Sequence, residues 1–238
     1  MTHIKEYSHD NFTNCGKPIY YRDFIIVPVF ILLQYTFPLL AEEVFPNLLE
    51  RLFDYTLQPS GYNILFNVMM CLAQVIVIAI FMLLHRQHVV ARIKTQLIGM
   101  RQHLWRIIIV YLLLVSFIFI YQRVIPPMTI QDDLITIPLS FVTIGILTPI
   151  VEELLFRHLI IGELGKKWGF RWMAVVSIIA FGAAHFLHFT SIWTFVPYMV
   201  GGIAMTYIYI ASGRNILVAI ALHTMINSVS QILSMLGI

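Results

Sequence analysis

The run Ser140-Phe-Val-Thr-Ile-Gly-Ile-Leu-Thr-Pro-Ile-Val-Glu152-Glu153-Leu-Leu-Phe-Arg157-His158-Leu-Ile-Ile161 decides what kind of protein this is. It is apolar over the roughly 17 to 25 residues that a helix needs to cross the hydrocarbon of a bilayer. Yet it holds two adjacent carboxylates and a guanidinium. A charge near the centre of a membrane helix costs roughly 2.5–3.5 kcal/mol on insertion scales, so such residues usually face the protein interior and have a task. Glu153 and Arg157 are four apart, on one helical face, where they can pair. Glu152 is turned about 100° from Glu153 and has Phe156 as its i+4 neighbour, which makes it the freer carboxylate. The alternative ends the helix at Val151, takes 134–151 as the span and leaves both glutamates at the interface. The apolar continuation through Ile161 argues against it, because that stretch would have to leave the membrane.

The rest of the chain agrees with a membrane reading. Of 238 residues, 59% are hydrophobic and 11% charged, with a mean hydropathy of +0.84. Soluble globular chains are nearer 45–50% apolar and about 25% charged, so a water-soluble enzyme is excluded. Apolar runs of spanning length fall at 24–40, 62–84, 104–122, 141–161, 172–190, 192–211 and 215–236. Inside them stand only Arg106, Glu152, Glu153 and Arg157. Arg106 is two residues from a helix end and can snorkel to water, which leaves the quoted run as the one buried cluster. The expected fold is therefore an all-α, polytopic transmembrane helical bundle of about seven spans. Pro28 and Pro38 predict a kink or tilt in the first, and an eighth, re-entrant element is the alternative to a simple count.

Orientation follows from the basic residues, which concentrate in cytoplasmic loops. Lys5, Lys17 and Arg22, then Arg86, Arg92, Lys94, Arg101 and Arg106, then Lys166, Lys167 and Arg171, then Arg214 fall on one side. Only Arg51 and Arg123 fall on the other, so the N-terminus is expected in the cytoplasm and the C-terminus outside. Trp105, Trp168, Trp172 and Trp193 all sit at span ends, where amphipathic rings prefer the headgroup level. The basic loop from His85 to His103 can touch anionic lipid, and nothing supports nucleic-acid binding. Residues 1–23 are too polar for a cleavable signal peptide and read as the lead of an uncleaved anchor. Cys15 and Cys71 show neither disulfide nor metal spacing, and no repeat or low-complexity stretch is present. The expected organisation is a single membrane domain over 1–238, with N-terminal spans in 1–133 and a catalytic core in 134–238.

Histidines narrow the question. His3, His9, His85, His88 and His103 lie in tails or the basic loop and are expected to be solvated, while His158 and His188 read as helix-end or interfacial residues, His188 being a reserve candidate. His185 sits among small residues in Phe181-Gly-Ala-Ala-His185, and His223 has Asn227 one turn on. At 1.5 Å per residue, Glu152, His185 and His223 lie about 14, 20 and 12 Å from the cytoplasmic ends of their spans, in a core about 30 Å thick. One membrane histidine is more often a structural hydrogen-bonder; two at the depth of a buried carboxylate suggest a site. The similar pair Glu42-Glu43 has Pro46 and Asn47 as i+4 neighbours and reads as solvated surface in an outside loop.

Glu152-Glu153-x-x-x-Arg157, Phe181-x-x-x-His185 and His223-x-x-x-Asn227, in that order, resemble the motifs of the CAAX protease and bacteriocin-processing family of intramembrane proteases. The stretch from Gly201-Gly202 to Ser212-Gly213-Arg214-Asn215 is similar to the family's segment before its last motif, and the likeness covers about 140–230. His158 departs from it, since many members have glycine there. The resemblance implies peptide-bond hydrolysis by a glutamate-activated water. Glu152 would be the general base, His185 would help orient or activate the water, His223 and Asn227 would bind the oxyanion, and Glu153 with Arg157 would brace the site.

Glu152, His185 and His223 also make a plausible zinc set with an open position for water. A mechanism without metal or other cofactor is preferred, because no His-Glu-x-x-His helix is present and Asn227 is a poor zinc ligand. Rivals from other classes are a non-hydrolytic immunity or signalling scaffold of the same fold, and a proton-coupled transporter, against which the lack of repeat symmetry counts. The expected partners are the lipid bilayer and a peptide or protein substrate with a membrane-associated segment, such as a small peptide precursor. The expected location is a cell membrane, the plasma membrane if the source is bacterial.

Overall fold

The computed structural model describes residues 18–125, 137–186 and 192–235, and every regular element among them is helical. In chain order these are α1 (Tyr21–Phe53), α2 (Pro59–Leu84), α3 (Val89–Val124), α4 (Pro138–Trp168), α5 (Phe170–Phe186), α6 (Ile192–Ala211) and α7 (Ile216–Met235). Five of them, α1 to α4 and α7, are long and apolar enough to cross a membrane, while α5 and α6 contain shorter apolar helices, Phe170–His185 and Phe195–Ala211. The protein is a multi-pass membrane protein. Large side chains displayed without protein cover, such as Trp105 at 77% and Leu113 at 67% exposure, are what a lipid-facing helix surface presents.

The helix breaks have identifiable causes. Pro38 lies inside α1 and a π turn follows at Leu40–Val44, the kind of local rewinding that accommodates a missing N–H. In α4 the backbone is π-helical over Phe141–Leu147, α-helical over Thr148–Glu153 and π-helical again over Leu154–Leu164. At the end of α1, Asp54 takes a left-handed conformation with φ 50°, and its N–H closes on Glu50 O at 3.0 Å. Aspartate is one of the few residues with a side chain that adopts this region readily.

Three expectations are corrected. The first span does not stop at 40: α1 runs on to Phe53, so Glu42 and Glu43, though exposed, are helical and not in a loop. The basic stretch is not a loop either, since Val89–Met100 is helix. Its sequence has no proline, and arginine, lysine, glutamine, leucine and isoleucine all sustain a helix. His85 is buried, not solvated: its Nε2 lies 3.4 Å from the fully buried Asp23 carboxylate, and its Nδ1 bonds Phe81 O at 3.1 Å. Cys71 is a free thiol; Cys15, His3, His9 and His188 lie outside the described residues.

The chain forms two compact units, each drawn from separate stretches. One comprises Met1–Tyr21, Gln87–Met128 and Glu152–His223; the other comprises Arg22–Arg86, Thr129–Val151 and Thr224–Ile238. In the first, α5 packs on α6 and on the Leu154–Leu164 part of α4, and α6 also packs on the Leu104–Val124 part of α3. Its core includes Leu159, Ile161, Phe170, Ile208, Val218 and Leu222. Gly182 permits the close α5–α6 approach, because a Cβ there would meet Phe195 Cε2 at 2.8 Å. Polar groups are satisfied across these helices: Ser177 Oγ donates to Phe156 O at 2.8 Å, Arg106 Nη1 to Ala211 O at 2.7 Å and Asn215 Nδ2 to Gln96 O at 2.8 Å. In the second unit α1 packs on α2, and α2 on the Phe141–Leu147 turn of α4, around Ile26 and Val77.

Candidate active site

Four of the residues singled out in the sequence meet within the first unit. Glu152 and Glu153 lie at the end of the α-helical turn of α4, His185 near the end of α5 and His223 within α7. Glu152 turns one carboxylate oxygen to each histidine: Oε1 lies 3.7 Å from His185 Nε2, and Oε2 lies 3.4 Å from His223 Nε2. Glu153 faces the other side of His223, its Oε1 being 2.9 Å from Nδ1. The same oxygen lies 3.2 Å from Arg157 Nη1, and both members of that ion pair are fully buried.

The proton positions on the two imidazoles follow from what their outer nitrogens meet. Phe181 O, 2.9 Å from His185 Nδ1, can only accept, so Nδ1 carries a proton, and in the neutral ring Nε2 is left as a lone pair towards Glu152. Glu153, paired with Arg157, can likewise only accept, so His223 Nδ1 is the donor there. The carboxylate Glu153 thus does for His223 what a buried acid does for a catalytic histidine elsewhere: it fixes the orientation of the ring.

Phe181 ties this set together. Its ring stands edge-on to Phe156 at 5.2 Å and to His223 at 5.8 Å between centroids. It also lies 4.7 Å from the Arg157 guanidinium, an arrangement worth more out of water than in it. Arg157 Nη2 donates to Gly202 O at 3.1 Å. Gly202 has no room for a side chain without pressing on Phe181, whose Cδ1 would be 3.2 Å from a Cβ. Tyr198 stacks on His185 with centroids 4.4 Å apart and planes 23° from parallel. Neither Tyr198 nor Gly202 was singled out by chemistry in the sequence, because an aromatic or a glycine in an apolar helix gives no contrast. Pro197 and the Gly201-Gly202 pair were the available signal, marking a stretch where helices come close.

Asn227 belongs to the second unit, and its Nδ2 donates to Ile144 O at 3.1 Å. His158 lies in α4, half-buried, and not at a helix end. For zinc, the two histidines reach different oxygens of the Glu152 carboxylate, His185 Nε2 at 3.7 Å and His223 Nε2 at 3.4 Å. Ligands of one tetrahedral zinc at about 2.0–2.1 Å would stand roughly 3.3–3.5 Å apart. Glu152, His185 and His223 are therefore the residues that could hold one.

Comparison with known proteins agrees with the motifs. Residues 134–229 match the family described as Type II CAAX prenyl endopeptidase Rce1-like. A curated protein of Bacillus subtilis (strain 168), "Putative membrane peptidase YdiL", is 30% identical over 99 residues, which is 42% of this chain and 38% of that protein. The matched stretch therefore spans well under half of that relative's length. No solved structure matches the chain. The segment 134–229, which carries Glu152, Glu153, Arg157, His185, His223 and Asn227, is thus similar to the CAAX-protease family, and the likeness covers less than half of the chain.

Proposed function

We propose that the protein is an intramembrane endopeptidase that hydrolyses a peptide bond in a small membrane-associated protein or peptide precursor, with Glu152 as general base and no metal. The observation that carries this is the facing pair of acceptors, Glu152 Oε1 and His185 Nε2, 3.7 Å apart. That is too long for a direct hydrogen bond. Both atoms call for a donor, and a water can reach both from a single position. In hydrolysis that water is the nucleophile: Glu152 takes its proton, the hydroxide attacks the scissile carbonyl, and the same proton passes to the leaving amine. His223, backed by Glu153 and Arg157, presents Nε2 on the far side of the carboxylate and, when protonated, donates to the developing oxyanion. The family matched by segment 134–229 and the name of the Bacillus subtilis relative point to the same class of reaction.

Glu152→Gln tests the proposal, since it keeps size and hydrogen-bonding capacity but removes the base. Peptide profiles of the membrane fraction are compared between cells carrying wild-type and variant protein at equal abundance. A precursor should accumulate with the variant, reflecting a loss of at least about 10²-fold in turnover. Unchanged profiles would overturn the reading. Stoichiometric zinc that leaves together with activity on chelation would overturn its metal-free part.

A further inference from the structure

A polar cavity of about 230 Å³ lies within the first unit, around Glu163, eleven residues beyond Glu152 along α4. The reaction proposed above makes no use of it. One water takes up about 30 Å³ in the liquid, so a group of several heavy atoms fits here. The walls come from the end of α4, the start of α5, the end of α6 and the turn before α7. Gly162 of α4 keeps the space open, because a Cβ there would lie 3.1 Å from the Tyr209 hydroxyl. His158, which stands where many members of the family it resembles have glycine, lines the same cavity.

The charges lining this cavity do not all find partners. Lys166 Nζ lies 2.7 Å from both oxygens of Glu163, and Tyr20 N–H donates to Oε2 at 2.8 Å, so that carboxylate is already engaged. Arg214 pairs with no carboxylate among the described residues. Its guanidinium lies over the Phe170 ring at 4.0 Å, a contact that leaves its N–H donors unused. Arg214 also holds a left-handed φ of 65°, its own N–H closed on Tyr209 O at 2.8 Å. Glycine or asparagine takes that conformation more cheaply, so the backbone gives no reason for an arginine and the side chain must supply one. Tyr209 is 4% exposed, and its hydroxyl makes no hydrogen bond among the described residues. A buried hydroxyl is costly to leave unbonded.

We propose that this cavity binds a phosphate group, with the Arg214 guanidinium and the Tyr209 hydroxyl as its donors. A guanidinium meets phosphate oxygens with two parallel N–H groups, and a phosphodiester's single negative charge matches the one unpaired cation of the lining. The bilayer supplies such a group at this level. Trp168 and Trp172, both exposed, flank the turn from α4 to α5 and mark the headgroup region. The occupant is therefore the headgroup of an anionic phospholipid, the kind of ligand that basic pockets between membrane helices take up. Free inorganic phosphate shares the chemistry, and the experiment separates the two.

The test uses the full chain, delipidated in a neutral detergent, and follows Tm as phosphatidylglycerol, phosphatidylcholine or inorganic phosphate is added. Phosphatidylglycerol should raise Tm by roughly 4–8 °C at saturation, and phosphatidylcholine, which carries its own cation, by less than half of that. Arg214→Gln should raise the phosphatidylglycerol concentration at half-maximal shift by at least about 10-fold, and Tyr209→Phe by about 3- to 10-fold. Lys167→Gln removes an exposed charge outside the cavity and should change it by no more than about 3-fold. Equal weakening by Arg214→Gln and Lys167→Gln would overturn the site, as would a wild type that responds to neither phosphatidylglycerol nor phosphate. If Arg214→Gln does not fold, Tyr209→Phe decides, because it removes one oxygen that bonds no group among the described residues; binding unchanged in that variant would overturn the proposal. A rise in Tm with inorganic phosphate, lost in Tyr209→Phe and absent with phosphatidylglycerol, would overturn the lipid as occupant.

Discussion

Three groups face the buried charge of Arg157: a carboxylate at 3.2 Å, a backbone carbonyl at 3.1 Å and an aromatic face at 4.7 Å. Removing one member of a buried pair strands the other, which costs about 3–5 kcal/mol, whereas removing both is often close to neutral. Arg157→Met is therefore expected to lower stability by about that amount, measured by thermal unfolding in detergent, because Glu153 is left unpaired but for His223. The double variant Glu153→Gln/Arg157→Met should regain at least half of the loss, since no buried charge is then left without its partner. A double variant no more stable than Arg157→Met would show that Arg157 acts by packing and not by charge. At this scale the buried charges were the legible part. Glu152, Glu153, Arg157, His185 and His223 stand out because each is costly in an apolar run. His85 and Asp23 were not legible as a pair: His85 is followed by Arg86, Gln87 and His88 and so reads as loop, and its partner is far away in the chain.

Elements were legible to the extent that hydropathy contrasts mark them. Runs of apolar residues located the helices among the described residues, but amphipathic continuations were cut short, as with α1 past residue 40 and α3 before residue 104. Charged residues on a helix surface look like loop when only the mean is read, although nothing in Val89–Met100 stops a helix. Backbone register is invisible to hydropathy altogether. The π turns of α4 came from no sequence signal other than Pro149 and Gly145. Small residues were the better guide: Phe181-Gly-Ala-Ala-His185 predicted a close helix approach, and Gly182 sits against Phe195 and Met199 of α6. Gly182→Ala should therefore push α5 and α6 apart and cost about 1–3 kcal/mol of stability. By contrast, a surface change such as Trp172→Phe, at a lipid-facing residue 73% exposed, should stay within about 0.5 kcal/mol. Equal unfolding midpoints for the two variants would mean that the α5–α6 contact is looser than described.

For the whole molecule, the basic residues make a prediction that helix packing alone does not. Lipid-facing helices fix that the chain lies in the membrane, but the side on which each loop emerges depends on where Lys and Arg were retained during insertion. Lys166, Lys167 and Arg171 cluster where α4 passes into α5, whereas the end of α1 carries Glu50 and Arg51, with Asp54 just beyond it. Lys167 and Arg51 are both exposed, so each can be replaced and reached by a reagent. In a chain freed of Cys15 and Cys71, a cysteine at position 51 should react with a membrane-impermeant maleimide on intact cells. One at position 167 should react only after the membrane is opened. This pattern would put the charged end of α4, beyond Glu152, on the cytoplasmic side, so that water and a precursor would approach the glutamate from that end. Labelling of position 167 on intact cells would reverse the orientation and move the approach to the opposite face, with the site itself unchanged.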